Sequence, residues 1–234
     1  LGERTMIDGL RTVRPGGLVR IRTGGSRPEI TATRWWTPPR ATGELTGDAA
    51  VECLHAAVSE SLEAHLQSDV EVCGLLSGGI DSASLLSLAR PRYGAFRAFT
   101  ALGGDGEEDP DRAAADLMAG RLRTEHVEVP VLSASEPPTD RWRRMVRSLG
   151  MPLGTPNEIA INALAEAVRG AGVKVAIGGE GADELLGGYE PILRLVLAIT
   201  ETDPGPEAAA AMLLESASWI SPGRKSMFLR EGWV

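Results

Sequence analysis

Apolar and polar positions recur along this chain with two different periods. Leu18-Val19-Arg20-Ile21-Arg22 follows a Pro15-Gly16-Gly17 turn and alternates residue by residue. Ile30 to Trp36 forms a similar extended stretch, and both predict strands. Val51, Leu54, Val58, Leu62 and Leu66 return at the spacing of one helix face, which predicts an amphipathic helix over 49–67 with Asp48 as its N-cap. Beyond it the pattern changes again. Val70 to Leu76 is a continuous apolar run of β-forming residues, enough for one buried strand. A helix follows over Ile80–Ala89, a strand over Ala95–Leu102, a helix over Asp111–Arg123 and a strand over Glu125–Val131. Helices over Asp140–Leu149 and Glu158–Arg169, a strand over Val173–Ile177, and helices over Ile192–Ile199 and Ala208–Leu214 complete the pattern. The order β-α-β-α-β predicts an α/β fold, a parallel sheet with crossover helices, whose ligands sit at the carboxyl ends of strands.

Two strands alone cannot bury a core. Residues 1–40 therefore read as the last strands of a β-rich domain, with Trp35 and Trp36 as packing residues. Residues 41–50 read as a linker and 51–234 as the main domain. A length of 234 residues suffices for such a core. The net charge of −8 argues against a surface that binds nucleic acid, which needs a basic footprint. Cys53 and Cys73 are too few for a disulfide scaffold and read as small buried hydrophobes. No run of about 18 apolar residues predicts a membrane span, so a reducing cytoplasm is the expected setting. The arginines of 140–149 read as a solvated face.

Two stretches carry candidate chemistry. After the first buried strand comes Ser77-Gly78-Gly79-Ile80-Asp81-Ser82. A glycine turn between strand and helix lets backbone approach a phosphate, and the free N–H groups of the helix start point at it. Ser77 and Ser82 add hydroxyl donors. Asp81 would repel phosphate unless it holds a Mg²⁺ that a polyphosphate shares. The bland alternative is an ordinary Gly-Gly turn. The second stretch runs from Gly178 to Tyr189, GGEGADELLGGY, after another predicted strand. Glu180 and Asp183 would share a face if the turn were helical. Their bland reading is as helix-start carboxylates.

The motif SGGIDS resembles the pyrophosphate loop, SGGxDS, of the ATP pyrophosphatase superfamily. Together with GEGADELLGGY it resembles the synthetase domain of the glutamine-hydrolysing asparagine synthetase family. Arg14-Pro15-Gly16, Trp35-Trp36, Ser68-Asp69-Val70 and Thr124-Glu125-His126 match further family positions. The resemblance implies an adenine nucleotide alpha-hydrolase-like fold and the end of a glutaminase-like domain over 1–40. It implies ATP and Mg²⁺ as cofactors. Leu75 and Ala101 would line the adenine, and Gly178 and Gly179 would lie beside the nucleotide. Ser77, Gly78, Gly79 and Ser82 would cradle the pyrophosphate. Asp81 and Asp183 would bind Mg²⁺, Glu180 would act on ammonia as base or positioning group, and Glu184 would hold the turn. The implied partners are a small-molecule carboxylate, aspartate being favoured, and glutamine or ammonia. A homodimer is left open.

The sequence also departs from that family. Gly178 stands where a serine is usual, and Asp111-Arg112 where an acidic pair is usual. The family's N-terminal cysteine and its later lysine-bearing region have no counterpart, so the chain is expected to be part of a longer protein, and its activity alone is left open. Rival readings are a relative that closes β-lactams or lasso peptides, an RNA-modifying enzyme with the same loop, and a non-catalytic remnant.

Overall fold

The computed structural model describes residues 3–216 apart from 4, 6, 26, 40–42, 44, 104–109, 133–135 and 156. Most of the glycine- and acid-rich segment 103–109 thus lies outside the described residues. In chain order the elements are β1 (Gly17–Arg22), β2 (Glu29–Arg34), α1 (Gly47–His65), β3 (Val72–Leu75), α2 (Ile80–Tyr93), β4 (Arg97–Leu102) and α3 (Pro110–Leu122). There follow β5 (Glu125–Pro130), α4 (Pro138–Leu149), α5 (Asn157–Gly170), β6 (Val175–Ile177), α6 (Ala182–Leu186), α7 (Glu190–Thr202) and α8 (Pro206–Ser216). The chain divides into two compact units, and the division falls within β4 and β5.

The first unit comprises Leu1–Val70, Ala101–Asp109 and Glu128–Val173. In it β1 and β2 form an antiparallel pair with Leu18 opposite Thr33 and Ile21 opposite Ile30. Trp35 and Trp36 are 70% and 50% exposed, so the expected packing role fails. Their backbone does the work instead: both N–H groups donate to the Gly16 carbonyl, tying the end of β2 to the turn before β1. Thr46, not Asp48, occupies the N-cap position of α1, and Asp48 lies in the first turn, where a carboxylate favours the helix dipole. Leu62 is buried, but Cys53 is exposed, contrary to its reading as a core residue.

The arginine-rich helix α4 also differs from expectation. Arg141 is buried. It donates to the Val131 carbonyl at 2.9 Å and to the Glu136 carboxylate at 3.0 Å. Arg144 reaches both Glu136 and Glu166. These two guanidinium groups hold the Glu136 carboxyl below its ordinary range. Arg143 stays exposed as predicted, while Arg141 spends its charge inside the unit.

The second unit comprises Glu71–Thr100, Pro110–Val127 and Lys174–Val234. The sheet order is β5-β4-β3-β6, so β3 is central. It runs parallel to β4 on one side and to β6 on the other. Val72, Cys73 and Leu76 are at most 2% exposed, as an unbroken apolar run flanked by strands requires. Burial pushes the Cys73 thiol up and confirms it as a core residue. A Cβ added at Gly74 would stand 2.6 Å from a Leu86 methyl, so glycine lets α2 lie close against β3. Tyr93, at the end of α2, accepts the Val72 N–H on its hydroxyl at 2.9 Å. Leu86 and Ala89 of α2, Phe96, Ala98 and Phe99 of the next strand region, and Ala115 and Ala119 of α3 are buried as well. Among the described residues, no helix is long and apolar enough to cross a membrane.

Candidate active site

The chain leaves β3 at Leu76, which is still fixed to the neighbouring strand. Its N–H donates to the Phe99 carbonyl at 2.9 Å, and its carbonyl accepts from the Thr100 hydroxyl at 2.6 Å. The turn that follows is closed by hydroxyl groups. Ser82, 4% exposed, accepts the Ser77 N–H at 3.1 Å and donates to the Gly79 carbonyl at 3.2 Å. The two serine oxygens stand 3.0 Å apart, and the Gly79 N–H donates to the Ser77 hydroxyl at 3.3 Å. Ser82 thus fastens the turn from within, whereas Ser77 and Gly79 remain exposed.

Glycine is required most strictly at Gly78. Its φ is +80°, and a Cβ there would overlap the Asp111 carbonyl oxygen at the start of α3. Gly79 has φ −74° and is the N-cap residue of α2, with no side chain capping the helix. The first N–H groups of a helix have no partner within it, so the helix start suits an anion by both its donors and its dipole. Ile80, 80% exposed, leaves that end open. Asp81 is half-buried in the first turn of α2.

The second turn leaves β6, which pairs with β3 through Val72–Val175, Cys73–Ala176 and Gly74–Ile177. This register sets the two turns side by side. A Cβ at Gly178 would lie 3.6 Å from the Leu75 side chain, and one at Gly179 would lie 3.0 Å from both the Asp81 Cβ and the Ser82 nitrogen. Gly178 and Gly179 therefore meet Leu75, Asp81 and Ser82, although the two turns are about a hundred residues apart in sequence. Ala101 is the residue of β4 after Thr100 and belongs to the first unit.

Glu180 is exposed and lies outside α6, separated from it by Gly181 with φ +92°. The shared helical face expected for Glu180 and Asp183 does not form. Asp183 begins the first turn of α6, and its main-chain carbonyl accepts the N–H groups of Gly187 and Gly188 at 2.8 and 3.1 Å. A Cβ at Gly188 would overlap the Asp183 carboxylate, so this glycine leaves room for it. Glu184 holds the turn as expected: the Tyr189 hydroxyl donates to its carboxylate at 2.6 Å. That bond lowers the Glu184 carboxyl, and together with burial and the charges of Glu184, Asp183 and Glu180 it pushes the Tyr189 hydroxyl up to about 12.

Among the described residues, no hydrogen bond or ion pair engages the carboxylates of Asp81, Glu180 or Asp183, and no cluster of three or more His, Cys, Asp or Glu side chains could hold a metal alone. A Mg²⁺ held by one or two carboxylates and completed by phosphate oxygens and water needs no such cluster. The uncommitted Asp81, with the second turn laid against it, fits that kind of site. The sequence carries no local signal for Thr100 and His126 as supports of the first turn; Thr124-Glu125-His126 stands out only by its resemblance to family positions.

Known proteins are similar to this chain over most of its length. The family model for asparagine synthase matches residues 54–227. A Mycobacterium tuberculosis protein named for a glutamine-hydrolyzing asparagine synthetase is 32% identical over 191 residues, covering 79% of this chain and 28% of its own length. Asparagine synthetase 1 of Bacillus subtilis, also named as glutamine-hydrolyzing, is 29% identical over 222 residues, covering 95% of this chain and 34% of its own. Amidase chyE of Penicillium rubens is 28% identical over 204 residues, covering 80% of this chain and 30% of its own. The chain spans about a third of the length of the curated relatives it matches.

Proposed function

Because the chain belongs to the asparagine synthase family, we propose that it is the ATP-using part of an amide-forming ligase. The observation that carries the reading is the contact of Gly179 with Asp81 and Ser82, which joins two phosphate-compatible turns at the end of one strand pair. ATP lies over these turns. The N–H groups of the α2 start receive its pyrophosphate, around Ser77, Gly78 and Gly79. Ser82 keeps the turn in shape. Leu75 lines the adenine side, with Gly178 and Gly179 beside the nucleotide.

In the reaction a substrate carboxylate oxygen attacks the α-phosphorus, the bond to the β-phosphate oxygen breaks and pyrophosphate leaves. Ammonia then attacks the acyl carbon of the mixed anhydride. AMP departs with the electron pair of the acyl–oxygen bond, and the nitrogen gives up its proton. Glu180, exposed and uncommitted, receives that proton or orients the amine. Asp81 and Asp183 would hold Mg²⁺, whose chemistry is to neutralise charge on the phosphate oxygens.

Aspartate is the favoured acceptor and glutamine the nitrogen source, supported by the names of the bacterial relatives. Residues 1–40, with the β1–β2 pair, read as the end of a glutamine-hydrolysing domain. Two cysteines, both free thiols, are compatible with a reducing cytoplasm. The test is ATP–pyrophosphate exchange by the full-length protein across a panel of carboxylates. Exchange dependent on aspartate is expected; exchange with another carboxylate would reassign the acceptor, and no exchange with any would overturn the adenylation reading.

A further inference from the structure

Three side chains from three elements form one chain of hydrogen bonds in the second unit. The Asp116 carboxylate of α3 stands 2.7 Å from His126 Nδ1 of β5. His126 Nε2 stands 2.7 Å from the Thr100 hydroxyl of β4. That hydroxyl donates to the Leu76 carbonyl at 2.6 Å. Thr100 is 2% exposed and the His126 side chain 12%, while Asp116 at the outer end is 55% exposed. The chain therefore runs from the surface to the residue immediately before the Ser77 turn.

We propose that His126 and Thr100 are positioning residues: they fix the Leu76 carbonyl and, through it, the angle at which the first turn leaves β3. The backbone ladder alone does not explain why these groups meet. Gly74 and Leu75 are in register with Ala98 and Phe99, and the Leu76 N–H still reaches Phe99. The Leu76 carbonyl, however, takes a side-chain hydroxyl as its donor, so the last hold on the chain before the turn is Thr100. A hydroxyl has one proton and two neighbours here. The Leu76 carbonyl can only accept, so that proton goes to it, and the ring bears on the hydroxyl from the other side. Asp116, at Nδ1, orients the ring. A buried carbonyl left unpaired costs free energy, so the ring and the turn are coupled through a single oxygen.

The inference rests on the nucleotide reading only for its functional effect, and two measurements on the full-length protein separate them. The first is amide hydrogen exchange in the nucleotide-free protein. Thr100→Val keeps the shape and removes the hydroxyl; it is expected to speed exchange at Ser77 and Gly79 by about tenfold, the cost of one buried hydrogen bond, while β3 itself is unchanged. Thr100→Ser is expected to restore the wild-type pattern, and His126→Phe, which leaves the hydroxyl its bond to Leu76 but removes the ring that orients it, to speed exchange less than Thr100→Val. The second is the KM for MgATP, which is expected to rise about tenfold in Thr100→Val and less in His126→Phe, with kcat changed less, and to recover in Thr100→Ser. Unchanged exchange at the turn, or exchange raised uniformly over β3 as well, would overturn the positioning role whatever the fate of ATP. Faster exchange at the turn with an unchanged KM would also overturn it. If the turn loosens as expected but the wild-type protein uses no ATP, the positioning stands and the nucleotide reading falls.

Discussion

The two glycine turns meet at the end of the same strand pair but are built by opposite means. The first is specified from all sides. Thr100 holds its entry, Ser82 closes its interior, and the Asp111 backbone leaves no room at Gly78 for any side chain. Among the described residues the second has one side-chain bond, from Tyr189 to Glu184, and three exposed or half-buried carboxylates around a helix of five residues. A turn that must present backbone N–H groups to a phosphate has to be rigid before its ligand arrives, since preorganised donors cost nothing to align. A turn that presents carboxylates gains from being less committed. Its charges repel one another until a cation or substrate takes them up.

The contrast can be broken most severely at Asp81, the one acid of the rigid turn. Asp81→Ala is expected to lower ATP turnover by at least ~10²-fold while circular dichroism stays native. Turnover near the wild-type level in Mg²⁺ would remove Asp81 from the metal site.

Next in size is the difference between neighbouring glycines. Gly78→Ala forces a side chain into the left-handed region at about 1–2 kcal/mol and into the Asp111 backbone, so a clear fall in Tm is expected. Gly79→Ala meets only the Ser77 hydroxyl, at 3.3 Å, and should melt like wild type while binding ATP more weakly. Calorimetry and melting curves on both variants check this. Equal loss of stability would show that the turn is not specified at Gly78.

Smaller effects are expected in the second turn, and they should divide by step. Asp183→Asn should slow pyrophosphate release, and Glu180→Gln should slow amide formation with pyrophosphate release retained. Each is expected to change its step about tenfold or more. Loss of stability alone, with both steps intact, would reduce the pair to helix-start carboxylates.

The smallest effect belongs to Tyr189→Phe, and its sign depends on pH. The Glu184 carboxyl is lowered in the folded state, so its contribution is present above the unfolded carboxylate range and is lost as pH falls through the folded value. The Tyr189 hydroxyl is raised, so its contribution is present below its ordinary value near 10 and is lost as pH rises through about 12. Wild type should therefore melt slightly above Tyr189→Phe at neutral pH and converge with it at both extremes. A difference independent of pH would assign the bond no charge character.

The parallel sheet of the second unit was legible because buried parallel strands are written as continuous apolar runs, and Val70 to Leu76 is such a run. The turns were legible because Ser-Gly-Gly and Gly-Gly interrupt strands where a helix has to begin. The unequal roles of Gly78 and Gly79 were not legible, since a letter does not carry its φ. Ser82 looks like a phosphate donor in the sequence; only its burial shows that it serves the turn. The Asp116–His126–Thr100 chain draws its three members from three elements, and no local pattern links them. Arg141 reads as solvated because charge on a helix usually marks its outer side, whereas its partners lie off the helix, Glu136 just before α4 and Glu166 in α5.

The pairing of Val72 with Val175 also has a temporal meaning. The first turn is made from neighbours in sequence or from β4, and it can be assembled as soon as those elements are present. The second turn reaches Asp81 only when β6 docks, and that closure spans most of the domain. Long-range pairings of this kind carry the largest loop entropy and slow folding. During synthesis, then, the first turn can be complete before the second arrives. Docking of the three-residue β6 brings the second turn against it, so under the proposed function ATP affinity gained during refolding would serve as a clock for β6.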